Sequence, residues 1–137
     1  MNKTAATILD GQAVYINDAQ GNRPTCALAK ADNINTCQTI GIATQNIPVN
    51  QTGMVTVVGV VHDYDTSVFS GDGKTLYLSA TTAGQLTDVA PSSPNYVARV
   101  GINLNTTNKG SIFVNPNRAL AGDTNMTANT NTLPPTQ

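Results

Sequence analysis

The chain has 137 residues and a net charge of −1, with charged residues at 11% and aromatics at 4% of the total. That length accommodates one domain with an ordinary core, and the absence of a basic cluster removes the electrostatic footprint of a nucleic-acid binder. The longest apolar run is about half of the roughly 20 residues that a helix needs to cross a bilayer, so no membrane span is expected.

Residues 1–10 are polar and rich in Thr and Ala, without alternation, and read as an N-terminal arm. They lack the apolar core of a signal peptide, which predicts a chain made and folded in a cytoplasm. Order is expected from Gly11. Gln12 to Ile16 alternates as a strand, Asn17 to Asn22 is a turn cluster, and Arg23-Pro24 cannot sit in a central strand. Thr25 to Ala29 is the predicted hairpin partner. After a loop at Asp32 to Thr36, Thr39 to Thr44 gives another short strand.

The turn Asn50 to Gly53 leads into Gly53-Met54-Val55-Thr56-Val57-Val58-Gly59-Val60-Val61. Its β-branched density and lack of charge predict the buried central strand of the fold. Polarity returns at His62-Asp63-Tyr64-Asp65-Thr66. Asp72-Gly73 is a turn signal opening a strand at Lys74 to Ser79, Gln85-Leu86-Thr87 is a brief strand, and Pro91 to Asn95 is a rigid loop. Tyr96 to Leu104 and Gly110 to Val114 form the last predicted pair, joined by Asn105 to Lys109. No segment carries a helical stripe, and residues 116–137 read as an extended C-terminal tail. The fold class expected is therefore all-β, a compact antiparallel barrel or sandwich of short strands, with a β-domain at 11–115 between two extended arms.

Little of the chain carries chemistry. His62, Asp63 and Asp65 are the one acid/base-like cluster, and alternation in a strand would put Asp63 and Asp65 on one face; a turn cap or solvated strand end is by far the commoner origin of such a cluster. The run from Asp63 begins like a calcium loop but has Val68 and Lys74 where glycine and an acidic residue belong. Gly71 to Thr75 lacks the first glycine of a phosphate loop. Cys26 and Cys37 have two readings: small buried hydrophobes, or a disulfide if strands near Thr25 and Gln38 pair as a hairpin. One His leaves a Cys/His zinc site short of ligands. No catalytic, cofactor-binding or metal-ligating residue is assigned, and no enzyme is expected.

Several phrases recur in a set order: Ala13 to Ile16, Ile40 to Thr44, Gly53 to Val61, Asp65 to Ser67, Gly73 to Ser79, Ala83 to Thr87, Pro91 to Pro94, Arg99 to Gly101 and Gly110 to Val114. Together they resemble a small β-domain of tailed-bacteriophage virion proteins, found inside tail-fibre and tail-spike chains or as free-standing capsid decoration (cement) proteins. The resemblance covers residues 11 to 115. It implies a structural role, usually as a homotrimer, with no catalytic residues to carry across. A chain starting at Met1 without a fibre shaft, with polar arms that can lace onto capsomers, tilts the expectation toward a decoration protein on the capsid surface, its partners the major capsid protein and itself. The terminal arms are expected to attach it, and Tyr77, Tyr96 and Phe113 to serve trimerisation. A receptor-binding or fibre-associated module using loops Asp63 to Gly73 and Asn105 to Lys109 is the alternative, and a small hydrolase acting through Asp63 and Asp65 is a third reading.

Overall fold

A computed structural model describes residues 1–116 of the chain, so the expected C-terminal tail lies outside the described residues apart from Pro116. Nine strands and no helix are present among them: β1 Ala13–Gln20, β2 Arg23–Leu28, β3 Thr39–Ala43, β4 Val55–Thr56, β5 Gly59–Tyr64, β6 Thr75–Leu78, β7 Leu86–Thr87, β8 Arg99–Asn105 and β9 Gly110–Val114. They form two antiparallel sheets, one ordered β2-β1-β3-β4 and the other β5-β9-β8-β6-β7. The all-β expectation holds as a sandwich of two open sheets and not as a closed barrel.

The first hairpin is longer than its turn residues suggest. β1 runs to Gln20 and turns only at Gly21-Asn22, where Gly21 takes a φ of 63°. A register shift between Ile16 and Asp18 re-aims this ribbon, and Pro24 pairs with Ala19. Proline is tolerated because β2 is an edge strand, so its missing N–H need not serve a further neighbour.

Alternation divides the first sheet between two cores. Ala13 and Ile42 from the first sheet, with Cys37 just before β3, meet Val61, Leu76, Leu78, Val100, Ile112 and Val114 from the second, filling the layer between them. Val14, Cys26 and Ala43 point the other way and pack beneath Ile8 and Ile47. The first sheet is therefore buried on both faces around Ala13, Val14, Ile42 and Ala43, one face against the second sheet and one under residues 1–10 and the loop around Ile47, while Ile16 further along β1 is 45% exposed.

That second cover corrects the reading of residues 1–10 as an arm. Ile8 bridges Ile47 antiparallel and Asn2 bridges Cys26 in parallel, and both Asn2 and Ile8 are buried. A few well-placed groups hold a segment whose composition is otherwise that of a loop.

The stretch Gly53 to Val61 is also corrected. It is not a central strand: β4 is the last strand of the first sheet, β5 the first of the second, and Val57-Val58 crosses between them. Met54 is 66% exposed, Val58 63% and Val60 47%. Gly59 opens β5, opposite Val114, with a φ of 143°, which disfavours any side chain. The inner positions belong to β1 and β3 in one sheet and to β9, β8 and β6 in the other.

Both cysteines are free and buried. β1 lies between β2 and β3, so the hairpin that would join the thiols does not form. Cys26 belongs to the outer core and Cys37 to the core between the sheets, and burial pushes the Cys37 thiol up from its ordinary value.

Candidate functional site

Three places gather the residues singled out in the sequence. The first is the end of β5. A register shift between Val61 and Tyr64 interrupts its pairing with β9, and Asp63 sits there with a φ of 58°. This bulge breaks the simple alternation on which a shared face for Asp63 and Asp65 rested. Both carboxylates line an open cleft of about 360 Å³, together with Asp10, Gln12, Tyr64 and Gln85.

Within the cleft Asp65 is turned to its own loop. Its Oδ1 accepts the Ser67 hydroxyl at 2.5 Å and the Ser67 N–H at 3.1 Å. These bonds hold its carboxyl below the usual range, the hydroxyl contributing more than the N–H. Burial, and next the Asp65 charge, push the Tyr64 phenol up to about 12. His62, which also lines the cleft, pairs Nδ1 with Ser111 Oγ at 3.2 Å. Among the described residues no three of His, Cys, Asp or Glu are grouped to hold a metal ion.

The second place is the pair of loops flanking this strand end, which are bonded into one unit. Thr66 Oγ1 lies 2.5 Å from Asn105 O and 3.0 Å from Thr107 O, and accepts the Thr107 N–H at 2.9 Å. Asn103 Nδ2 donates to Gly71 O at 2.8 Å and to Thr106 Oγ1 at 2.9 Å. Asp72 Oδ1 accepts the Thr106 N–H at 2.8 Å. Loops 65–73 and 105–109 are thus presented as one surface, with Thr66 and Asn103 buried at its root.

The third place is the outer face of the second sheet. The registers Val60↔Phe113, Phe113↔Ile102 and Ile102↔Thr75 set four residues in one row across four strands. Ile102 is 36% exposed and Leu104, two residues on, 44%. Ser111, opposite Asn105, and His62 continue the face at one end, and Arg99, opposite Tyr77, at the other. Tyr77 and Phe113 are half-buried and not packed on either core, whereas Tyr96 packs against the core between the sheets. Of the three aromatics expected to join copies, two are on an open face and the third is not.

Val60, Ile102 and Leu104 were missed by sequence reasoning as surface residues. The spacing of Ile102 and Leu104 is a signal of a shared strand face, but it marks a buried face and an uncovered one alike. Compared with known proteins, the chain matches no family model, no curated protein and no solved structure.

Proposed function

We propose that this chain is a structural protein of a tailed-bacteriophage virion: a capsid decoration protein that binds the outside of the assembled shell, without enzymatic activity of its own. One observation supports this beyond the resemblance of its turns and strands. The sheet face built on Val60, Ile102, Leu104 and Phe113 is apolar and uncovered. Contiguous exposed apolar surface marks interaction sites. Weak contacts repeated over many copies on a shell add into large stabilisation. The partners in this reading are the major capsid protein and further copies of the chain, as a homotrimer on the virion surface.

With residues 1–10 committed to the fold, attachment falls to the open face and to residues 116–137. The test is co-sedimentation with shells assembled from the major capsid protein of the same source, using the whole chain, a chain ending at Pro116, and Val60→Lys. Saturable binding that weakens in either variant is expected. No binding by the whole chain overturns the reading.

A second reading, a receptor-binding module of the tail, is favoured by the bonded loops 65–73 and 105–109, since binding residues concentrate on loops fixed by a rigid scaffold. It predicts adhesion to host cells that is lost when Asp72→Ala frees the Thr106 N–H, with shell binding absent.

A further inference from the structure

The first sheet is left open along part of one edge. β4 pairs with β3 only through Ile42 and Ala43, so among the described residues Thr39, Ile40 and Gly41 have no strand on that side. Beside them Val57 and Val58 leave for the second sheet, 47% and 63% exposed. A cleft of about 290 Å³ results, its walls including Gln38, Thr39, Ile40, Val57 and Val58. It shares Ile16, Ile40 and Val57 with a pocket of about 160 Å³, walled also by Val14, Cys26, Ile47 and Val55. No charged side chain lines either, and the amino group of Met1, at the pocket, is engaged by Pro24 O at 3.1 Å.

Pro116, the last described residue, is itself a wall of the cleft. We infer that the groove seats the segment of this chain that follows Pro116, with Leu120 in the apolar pocket.

Size and reach select this occupant. An apolar cavity of about 150 Å³ takes a benzene-sized group, so a pocket of about 160 Å³ suits one branched aliphatic side chain. Residues 117–137 lie outside the described residues, and their sequence offers three large apolar side chains, Leu120, Met126 and Leu133. Four residues of extended chain span up to about 14 Å, which carries Leu120 from Pro116 into a pocket adjoining the same cleft. Of the three it leaves the fewest residues to be ordered between itself and the fold, and so loses the least conformational entropy.

The backbone fits as well. An unpaired stretch of strand accepts an extended segment through main-chain hydrogen bonds, and Ala119 and Ala121 on either side of Leu120 are small enough to let it approach. Arg118 shares the side of Leu120 in an extended chain. In this register it falls in the cleft with Gln38 and Thr39, its stem on apolar surface and its head in water. Seating Leu120 is independent of the proposed function, since it leaves residues 121–137 and the outer face of the second sheet to the shell.

Methyl NMR of the whole chain tests this. Nuclear Overhauser effects from Leu120 to the methyls of Ile40 and Val57 are expected, unchanged over about a tenfold dilution, because a tethered segment meets its own fold at a fixed effective concentration. Leu120→Asp should shift the Ile40 and Val57 methyls and raise the labelling rate of the Cys26 thiol, a wall of the pocket, about threefold or more. Leu120→Met, apolar and of similar volume, should restore both. Leu133→Asp, further along the same segment, should change neither. Retention of the wild-type circular dichroism confirms that each variant folds. Absence of the Leu120 contacts in the whole chain overturns the inference, as does Cys26 labelling indifferent to Leu120→Asp. Contacts that fade on dilution belong to the segment of another copy and overturn it too.

Discussion

Asn2 shows how one polar residue can anchor a segment that composition assigns to the surface. Its Nδ2 donates to Ala6 O and Ile47 O, both at 2.8 Å, and its Oδ1 accepts the Thr4 N–H at 2.9 Å and the Thr4 hydroxyl at 2.7 Å. Its backbone N–H reaches Gln51 O at 2.9 Å. Every polar atom of a fully buried side chain is thereby satisfied, so truncation removes four bonds at once, although the Ile47 carbonyl keeps the Ile8 N–H at 3.0 Å. Asn2→Ala is expected to cost about 3 kcal/mol in urea unfolding. Tyr64 offers a second test at this scale. Its phenol is raised to about 12 in the fold from about 10 when unfolded, so the neutral form is favoured by folding. That contribution is fully present below about pH 10 and is lost as pH rises through about 12, a total of roughly 2–3 kcal/mol. Tyr64→Phe cannot ionise, and the stability difference between it and the unsubstituted chain should drift by that amount between pH 9 and 12.

At the scale of elements, the pair of loops behind Thr66 is held by bonds to backbone groups more than thirty residues away. Thr66→Val keeps the shape and removes the hydroxyl, leaving Asn105 O and the Thr107 N–H short of a partner. A loss of about 1–3 kcal/mol is expected, with faster amide hydrogen exchange confined to 65–73 and 105–109. Elements of this kind were legible in sequence wherever turn chemistry punctuates the chain. Gly21, Asn50 and Gly73 all take positive φ at the predicted turns, and the strands beginning near Ala13, Thr39, Thr75 and Gly110 lie between such turn clusters. The rank of a strand within its sheet was not legible. Gly53 to Val61 is apolar on both faces, and such a run reads the same whether its outer face meets a neighbour or solvent. Pairing order, set by residues far away in sequence, put β4 and β5 at the edges. Residues 1–10 failed for the opposite reason: Asn2 and Ile8 are too few to make a pattern, yet they suffice to close a face. For the candidate site, Tyr77 and Phe113 could be named from their type, but the row they share with Ile102 and Val60 exists only in the register.

On the scale of the molecule, the sandwich has two cores whose stabilities can be read separately, because each contains one thiol. Cys37 lies between the sheets and Cys26 beneath the strap formed by residues 1–10 and the Ile47 loop. The Cys26 thiol lies 3.7 Å from the Met1 carbonyl oxygen, so the strap alone stands between it and solvent on that side. If the strap is a layer added to a complete sandwich, loosening it opens one core and spares the other. Ile8→Ala deletes a fully buried side chain whose loss costs about 2–5 kcal/mol wherever the surroundings cannot collapse. Brief labelling with a thiol reagent, resolved by mass spectrometry, should then modify Cys26 well before Cys37 in this variant, while neither reacts quickly in the unsubstituted chain. Equal acceleration at both thiols would mean that strap and sandwich unfold together. The outer core would then be part of a single cooperative unit, and residues 1–10 would be as indispensable to the second sheet, and to its open face, as to the first.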